Sequence, residues 1–294
     1  MVLLFVTGLG LGAIYFLVAS GLSLIYGLMG VLNFAHGVFL SLGAFLGWEV
    51  ARLVGATSWT GFAASLLVGA LAGAAFAALT ERLLVQRLYN RHIEQVLVTV
   101  GLALATVALF DGIWGTDPRF ITGPAWLNGT TTILGARIPN DRFVTIVVAV
   151  LVLLAIVLFL RRTRFGMIIR AGVENRSMVT ALGIDVRSAF TLVFTIGGAA
   201  AGLGGVLASH YFGYVSPLLG QTLLIFAFIV TVIGGLGSLT GAAVASVLVA
   251  LLQQFANYYV TIGSFTGVGD LTVVVFLAVV LLLRPQGLLG KKVA

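Results

Sequence analysis

The chain contains no cysteine, so neither a disulfide nor a thiolate metal site is open to it. Lysine is almost missing as well. Lys291 and Lys292 both lie in the C-terminal tail, and no Gly-x-x-x-x-Gly-Lys-[Ser/Thr] run is present to cradle a nucleotide phosphate. Charge of either sign is scarce: Asp, Glu, Lys and Arg make up 9% of 294 residues, where a soluble chain carries about 25%. Paired carboxylates, a histidine cluster and a Gly-x-Ser-x-Gly run are all lacking, so a membrane enzyme finds no reactive constellation. His36, His92 and His210 are far apart in sequence, which argues against a metal cluster. No basic run precedes the apolar stretch from Met1 to Gly30, so it reads as a retained first membrane helix, not a standard secretory signal.

What is there is apolar. Hydrophobic residues make up 60% of the chain, and the mean hydropathy is +1.17. A spanning helix needs about 20 mostly apolar residues. Candidate spans are 3–28, 31–53, 59–80, 95–113, 143–160, 189–210, 221–236, 241–258 and 270–284. The pair within 221–258 either crosses twice or is re-entrant at its glycine-rich middle. The expected fold class is therefore an all-α polytopic transmembrane bundle of eight or nine segments, with glycine-broken helices. Residues 1–294 form a single membrane domain in this reading.

The net charge of +7 is cut into blocks by these spans. Arg82, Arg87 and Arg91 form one block, Arg161, Arg162, Arg164, Arg170, Arg176 and Arg187 a second, and Arg284, Lys291 and Lys292 a third. That distribution follows the positive-inside rule and argues against a nucleic-acid stripe. It puts 81–94, 161–188 and the tail in the cytoplasm, and the N-terminus outside. Segment 114–142 carries Asp117-Pro118, Gly123-Pro124, Asn128-Gly129 and Pro139-Asn140, turn signals that read as an external loop. Trp48, Trp59, Trp114 and Trp126 fall at or beyond outer helix ends, as in an aromatic belt. Glu49 and Arg52, three apart, read as a solvated pair. Asp111 and Asp270 lie near outer ends and read as interfacial or gate residues, so a proton relay buried at the midplane is not evident.

Three stretches carry candidate function. The arginine-rich island holds a short helix from Glu174 to Leu182, with Gly183 as its left-handed stop. Its apolar positions, Val173, Met178, Ala181 and Leu182, leave Glu174, Asn175 and Arg176 to a soluble partner. The other two stretches are alike: Tyr26-Gly27-Leu28-Met29-Gly30-Val31-Leu32-Asn33-Phe34-Ala35 and Ile233-Gly234-Gly235-Leu236-Gly237-Ser238-Leu239-Thr240-Gly241-Ala242. Glycine-interrupted spans in two halves mark a transport path, or they simply let helices approach closely. Polar residues such as Asn33 and His36 inside a span face a cavity or satisfy freed backbone.

Arg170-Ala171 followed by Asn175, Ala181, Gly183 and Ile184 resembles the coupling-helix region of permease subunits of ABC importers for branched-chain amino acids. The run Gly21–Gly37, the run Val232–Gly241 and the ending Leu283-Arg284-Pro285-Gln286-Gly287-Leu288 resemble signatures of the same family, in the same order. The resemblance implies a pathway subunit that translocates branched-chain amino acids or similar small solutes by alternating access. Urea, amide and aromatic-acid permeases are the alternatives within it, and a stand-alone secondary transporter is the alternative outside it. It also implies partners: a homologous second permease, two cytoplasmic ATPases carrying ATP and Mg, and a periplasmic or extracellular substrate-binding protein. The location implied is multi-pass in the bacterial cytoplasmic (inner) membrane. The coupling residues would be Arg170, Ala171, Glu174, Asn175, Ala181, Gly183 and Ile184. Gly30, Asn33, His36, Gly234, Gly237 and Thr240 would flank the path. The chain itself would catalyse nothing and bind no cofactor.

Overall fold

A computed structural model describes residues 1–30, 33–89, 91–174, 176–181, 183, 186–260 and 267–290. Asn175, Ile184 and Leu182 lie outside these described residues, and so does the Glu174 side chain.

The apolar runs become helices close to the expected limits: α1 (Val2–Met29), α2 (His36–Val54), α3 (Trp59–Leu83), α4 (His92–Trp114), α5 (Asp141–Arg162), α6 (Arg164–Glu174), α7 (Arg176–Ala181), α8 (Val186–Phe212), α9 (Leu219–Gly234), α10 (Leu239–Tyr259) and α11 (Val268–Leu283). The span expected from residue 31 starts at His36 instead, because Gly30 and the Asn33 turn occupy the preceding residues. Among the described residues, seven helices are long and apolar enough to cross a membrane. α9 and α11 are apolar but have 16 residues each, about 24 Å of helix against a hydrocarbon core of about 30 Å. The nine expected segments thus exist, two of them short. α9 turns into α10 at Gly235–Ser238.

α1 and α8 form the interior: 67% of each apolar window is buried, against 22% for α4 and 17% for α5. Apolar burial cannot hold helices together in lipid, so contact has to come from close packing of small residues. The α3–α8 seam shows how: a β-carbon at Gly73 would strike the Gly198 carbonyl oxygen.

The helix ends separate by charge. Arg82, Arg87, Arg91, Arg161, Arg162, Arg170, Arg187 and Arg284 fall at one end of the bundle, here called the basic end. The other is the hairpin end. There, the loop read as external contains strands β2 (Thr130–Ile133) and β3 (Ala136–Pro139), joined through Leu134 (φ 51°) and Gly135 (φ 80°). Two positive φ values are what a two-residue hairpin of this hand requires; leucine in the first place hid it from the sequence. A second ladder pairs β1 (Arg119–Phe120) with β4 (Tyr214–Val215), tying this loop to the α8–α9 connection.

The hairpin end is also laced by side chains. Arg142 bonds Asp141 and the Tyr211 carbonyl, and its guanidinium lies 3.3 Å over the Tyr211 ring. Trp114 stacks on Phe45 and donates to Glu49, which also pairs with Arg52 at 3.9 Å. Trp114 is therefore more than a belt residue. Asp270 accepts from Gln253 Nε2 at 2.6 Å, and Gln253 Oε1 accepts from the buried Tyr15 hydroxyl at 2.7 Å. This chain links α11, α10 and α1.

Candidate functional site at the basic end

At the basic end the two look-alike glycine stretches meet. α1 stops because Gly30 adopts φ 69°, its N–H donating to the Tyr26 carbonyl. α9 stops at Gly235 (φ 102°), and Ser238 then caps α10 by accepting from Gly241 N–H at 3.1 Å. The left-handed positions are ones only glycine fills cheaply. A β-carbon on Gly27 would sit 3.0 Å from Gly237 Cα, so the helix end and the turn touch backbone to backbone.

The C-terminal motif joins them. After Arg284 the chain turns at Gly287 (φ 77°), and the N–H groups of Leu288 and Leu289 donate to the carbonyls of Ile233 and Gly234 at 2.7 and 3.1 Å. The last α9 carbonyls, which a helix leaves orphaned, are satisfied by residues some fifty positions on.

The island docks on the same junction. Thr163 caps α6 through Gly166 N–H at 3.0 Å, and Gly166 lets the chain turn back against the end of α5. Ile169 and Val179 are buried against Ile25 and Met29 of α1 and Phe190 and Phe194 of α8. Two expectations need correction here. The helical part of the island already begins at Arg164, as an amphipathic helix to Glu174, and Arg176–Ala181 are helical as well. Met178 and Ala181, read as its apolar contacts, are exposed; Val179 is the buried one. Gly183 takes φ 76°, the left-handed stop expected of it.

A cavity of about 440 Å³ opens between these parts. Ser23 and Gly27 of α1, Gly237, and Met167, Arg170 and Ala171 of α6 line it. Residues separated by more than 200 positions therefore share one wall. Ser23 was not singled out from the sequence. Its buried hydroxyl has no partner among the described residues, which the quoted signature run could not reveal.

The other path candidates are placed differently. Gly234 is buried against Gly241, and Thr240 is exposed next to Leu239, which lines the cavity, its hydroxyl 3.4 Å from Ser238. Asn33 is buried and starts α2 by accepting from Ala35 N–H at 3.0 Å. Its amide nitrogen faces a void of about 10 Å³ shared with Gln95 and Thr99. His36 is buried against α1, Nε2 lying 3.1 Å from the Val18 carbonyl. Both thus serve backbone at the helix break, and neither lines the larger cavity. Glu81, passed over in the sequence, is fully buried near the basic end of α3, where its carboxylate accepts from Tyr89 and from Thr191 at 2.6 Å.

Comparison with known proteins bears on this arrangement. The model of the family described as branched-chain amino acid transport system, permease component, matches residues 4–283. The permease protein BraD of the high-affinity branched-chain amino acid transport system of Pseudomonas aeruginosa is 31% identical, covering 97% of this chain and 94% of its own. LivH of the corresponding Salmonella typhimurium system is 28% identical over the same shares. LivM of that system is 26% identical, covering 94% of this chain and 68% of its own.

Proposed function

The chain belongs to the permease component family of branched-chain amino acid transport systems, and from that premise we propose that it is the membrane-spanning subunit of an ATP-driven importer for branched-chain amino acids or similar small solutes. The observation that carries the mechanism is the shared cavity: the island and the glycine ends of α1 and α9 meet in one space. Cytoplasmic ATPases grip the island. Their closure shifts α6, and Ile169 and Val179 transmit that shift to Ile25 and Met29 at the end of α1. The Gly27–Gly237 contact, which has no side chain to interlock, then slides or opens.

The partners follow from this reading. A P-loop is missing from the sequence, so nucleotide and Mg sit on separate subunits. A homologous permease completes the path, as LivH and LivM are both permeases of one system. A soluble binding protein delivers substrate at the hairpin end. The basic end faces the cytoplasm by the positive-inside rule, which supports placement in the cytoplasmic membrane. Weak, largely apolar walls suit a conduit whose affinity resides in the delivery protein.

Reconstitution with the co-expressed permease and ATPases tests this. Ala181→Arg, on the exposed face of α7, should leave ATP hydrolysis running while leucine uptake falls at least about tenfold. Uptake unaltered by the change would overturn the docking assignment, and solute accumulation by this chain alone without nucleotide would overturn the importer reading.

A further inference from the structure

The geometry points to a binding site for an anionic phospholipid headgroup on the flank of the basic end, separate from the glycine junction. A cavity of about 650 Å³ opens where α3, α5, α6 and α8 come together. Arg82 and Arg187 stand on its walls with Gln86 and Thr191, and Phe159 and Phe165 form its apolar side.

The charge of Arg82 is not balanced from within. Glu81 adjoins Arg82 in sequence, yet its carboxylate turns inward to Tyr89 and Thr191, and Arg82 forms no ion pair among the described residues. A guanidinium fork beside the Gln86 amide matches the oxygens of a phosphate.

Position selects a lipid as the source of that phosphate. The cavity is framed by two of the most exposed long helices, α3 and α5, whose apolar windows are 28% and 17% buried. Leu79 and Leu83 of α3 and Leu158 of α5 are exposed, and Phe165 at the cavity edge is half-exposed. The basic mouth therefore adjoins an apolar flank where acyl chains lie. Basic pockets between membrane helices at the positively charged end are suited to acidic headgroups.

Native mass spectrometry of the purified full chain, with synthetic phosphatidylglycerol or phosphatidylcholine of identical chains added to neutral detergent, tests the assignment. One phosphatidylglycerol should be retained in preference to phosphatidylcholine. Arg82→Gln should lower the retained fraction about fivefold, the scale of one basic contact. Arg82→Lys should hold more lipid than Arg82→Gln, and Arg284→Gln, at the same end but outside the cavity, should behave as wild type. Equal retention of the two lipids would overturn the proposal, and equal losses from Arg82→Gln and Arg284→Gln would reduce it to diffuse attraction. Displacement of the lipid by millimolar inorganic phosphate would overturn it in favour of a soluble anion.

Discussion

The two ends of the bundle are built from different materials. The hairpin end is joined by side chains: Arg142 with Asp141 and Tyr211, Trp114 with Glu49, Asp270 with Gln253 and Tyr15, and two short ladders. The junction at the basic end is joined by backbone: Gly27 on Gly237, and the amides of Leu288 and Leu289 on the end of α9. Directional polar bonds fix a geometry, whereas smooth glycine surfaces permit more than one. The difference assigns rigidity to the side where a delivery protein would dock and adjustability to the side where a motor would push.

That assignment predicts that variants at the two ends fail in different measurements. The largest effect is expected from Arg142→Leu. It leaves Asp141 buried without its partner and removes the cation over Tyr211, at a cost of about 3–5 kcal/mol. The temperature of thermal aggregation in detergent should fall by several degrees, with uptake per folded complex preserved. Normal stability with lost coupling would reverse the roles of the two ends.

Gly27→Leu should do the opposite. Overpacking against Gly237 costs about 1–3 kcal/mol, so the complex assembles, but uptake driven by ATP should fall about tenfold or more. Gly101→Leu is the matched control, since a β-carbon at Gly101 meets nothing within 4 Å. Equal losses of uptake from the two changes would remove the special status of the junction. The smallest effect belongs to Tyr15→Phe. Losing one buried hydrogen bond to Gln253 costs about 1 kcal/mol, visible as a small drop in melting temperature and unchanged uptake. A large transport defect there would mean that the chain to Asp270 moves during the cycle.

Much of this was legible in the sequence because it is local. Nine apolar runs gave helices within a few residues of their expected limits, since hydropathy and length set a membrane span without reference to its neighbours. Gly183 was read as a left-handed stop, and the family was marked by runs at four separate places. Which way a side chain faces was less legible. Met178 and Ala181 were assigned inward on their apolar character, whereas the fold buries Val179 and leaves those two exposed. For Asn33 and His36 the sequence left a cavity or freed backbone open, and the fold sets both on backbone, at Ala35 N–H and the Val18 carbonyl.

Composition and pattern alone thus settle that this chain crosses a membrane many times, where its charged ends lie and which family it joins. These depend on transfer of side chains into lipid, a property each segment carries alone. Packing settles the rest: Gly27 against Gly237, the tail capping α9, Ser23 left without a partner, Glu81 turned from Arg82. Each of these arises between atoms far apart along the chain, and no window of sequence contains both halves of the contact.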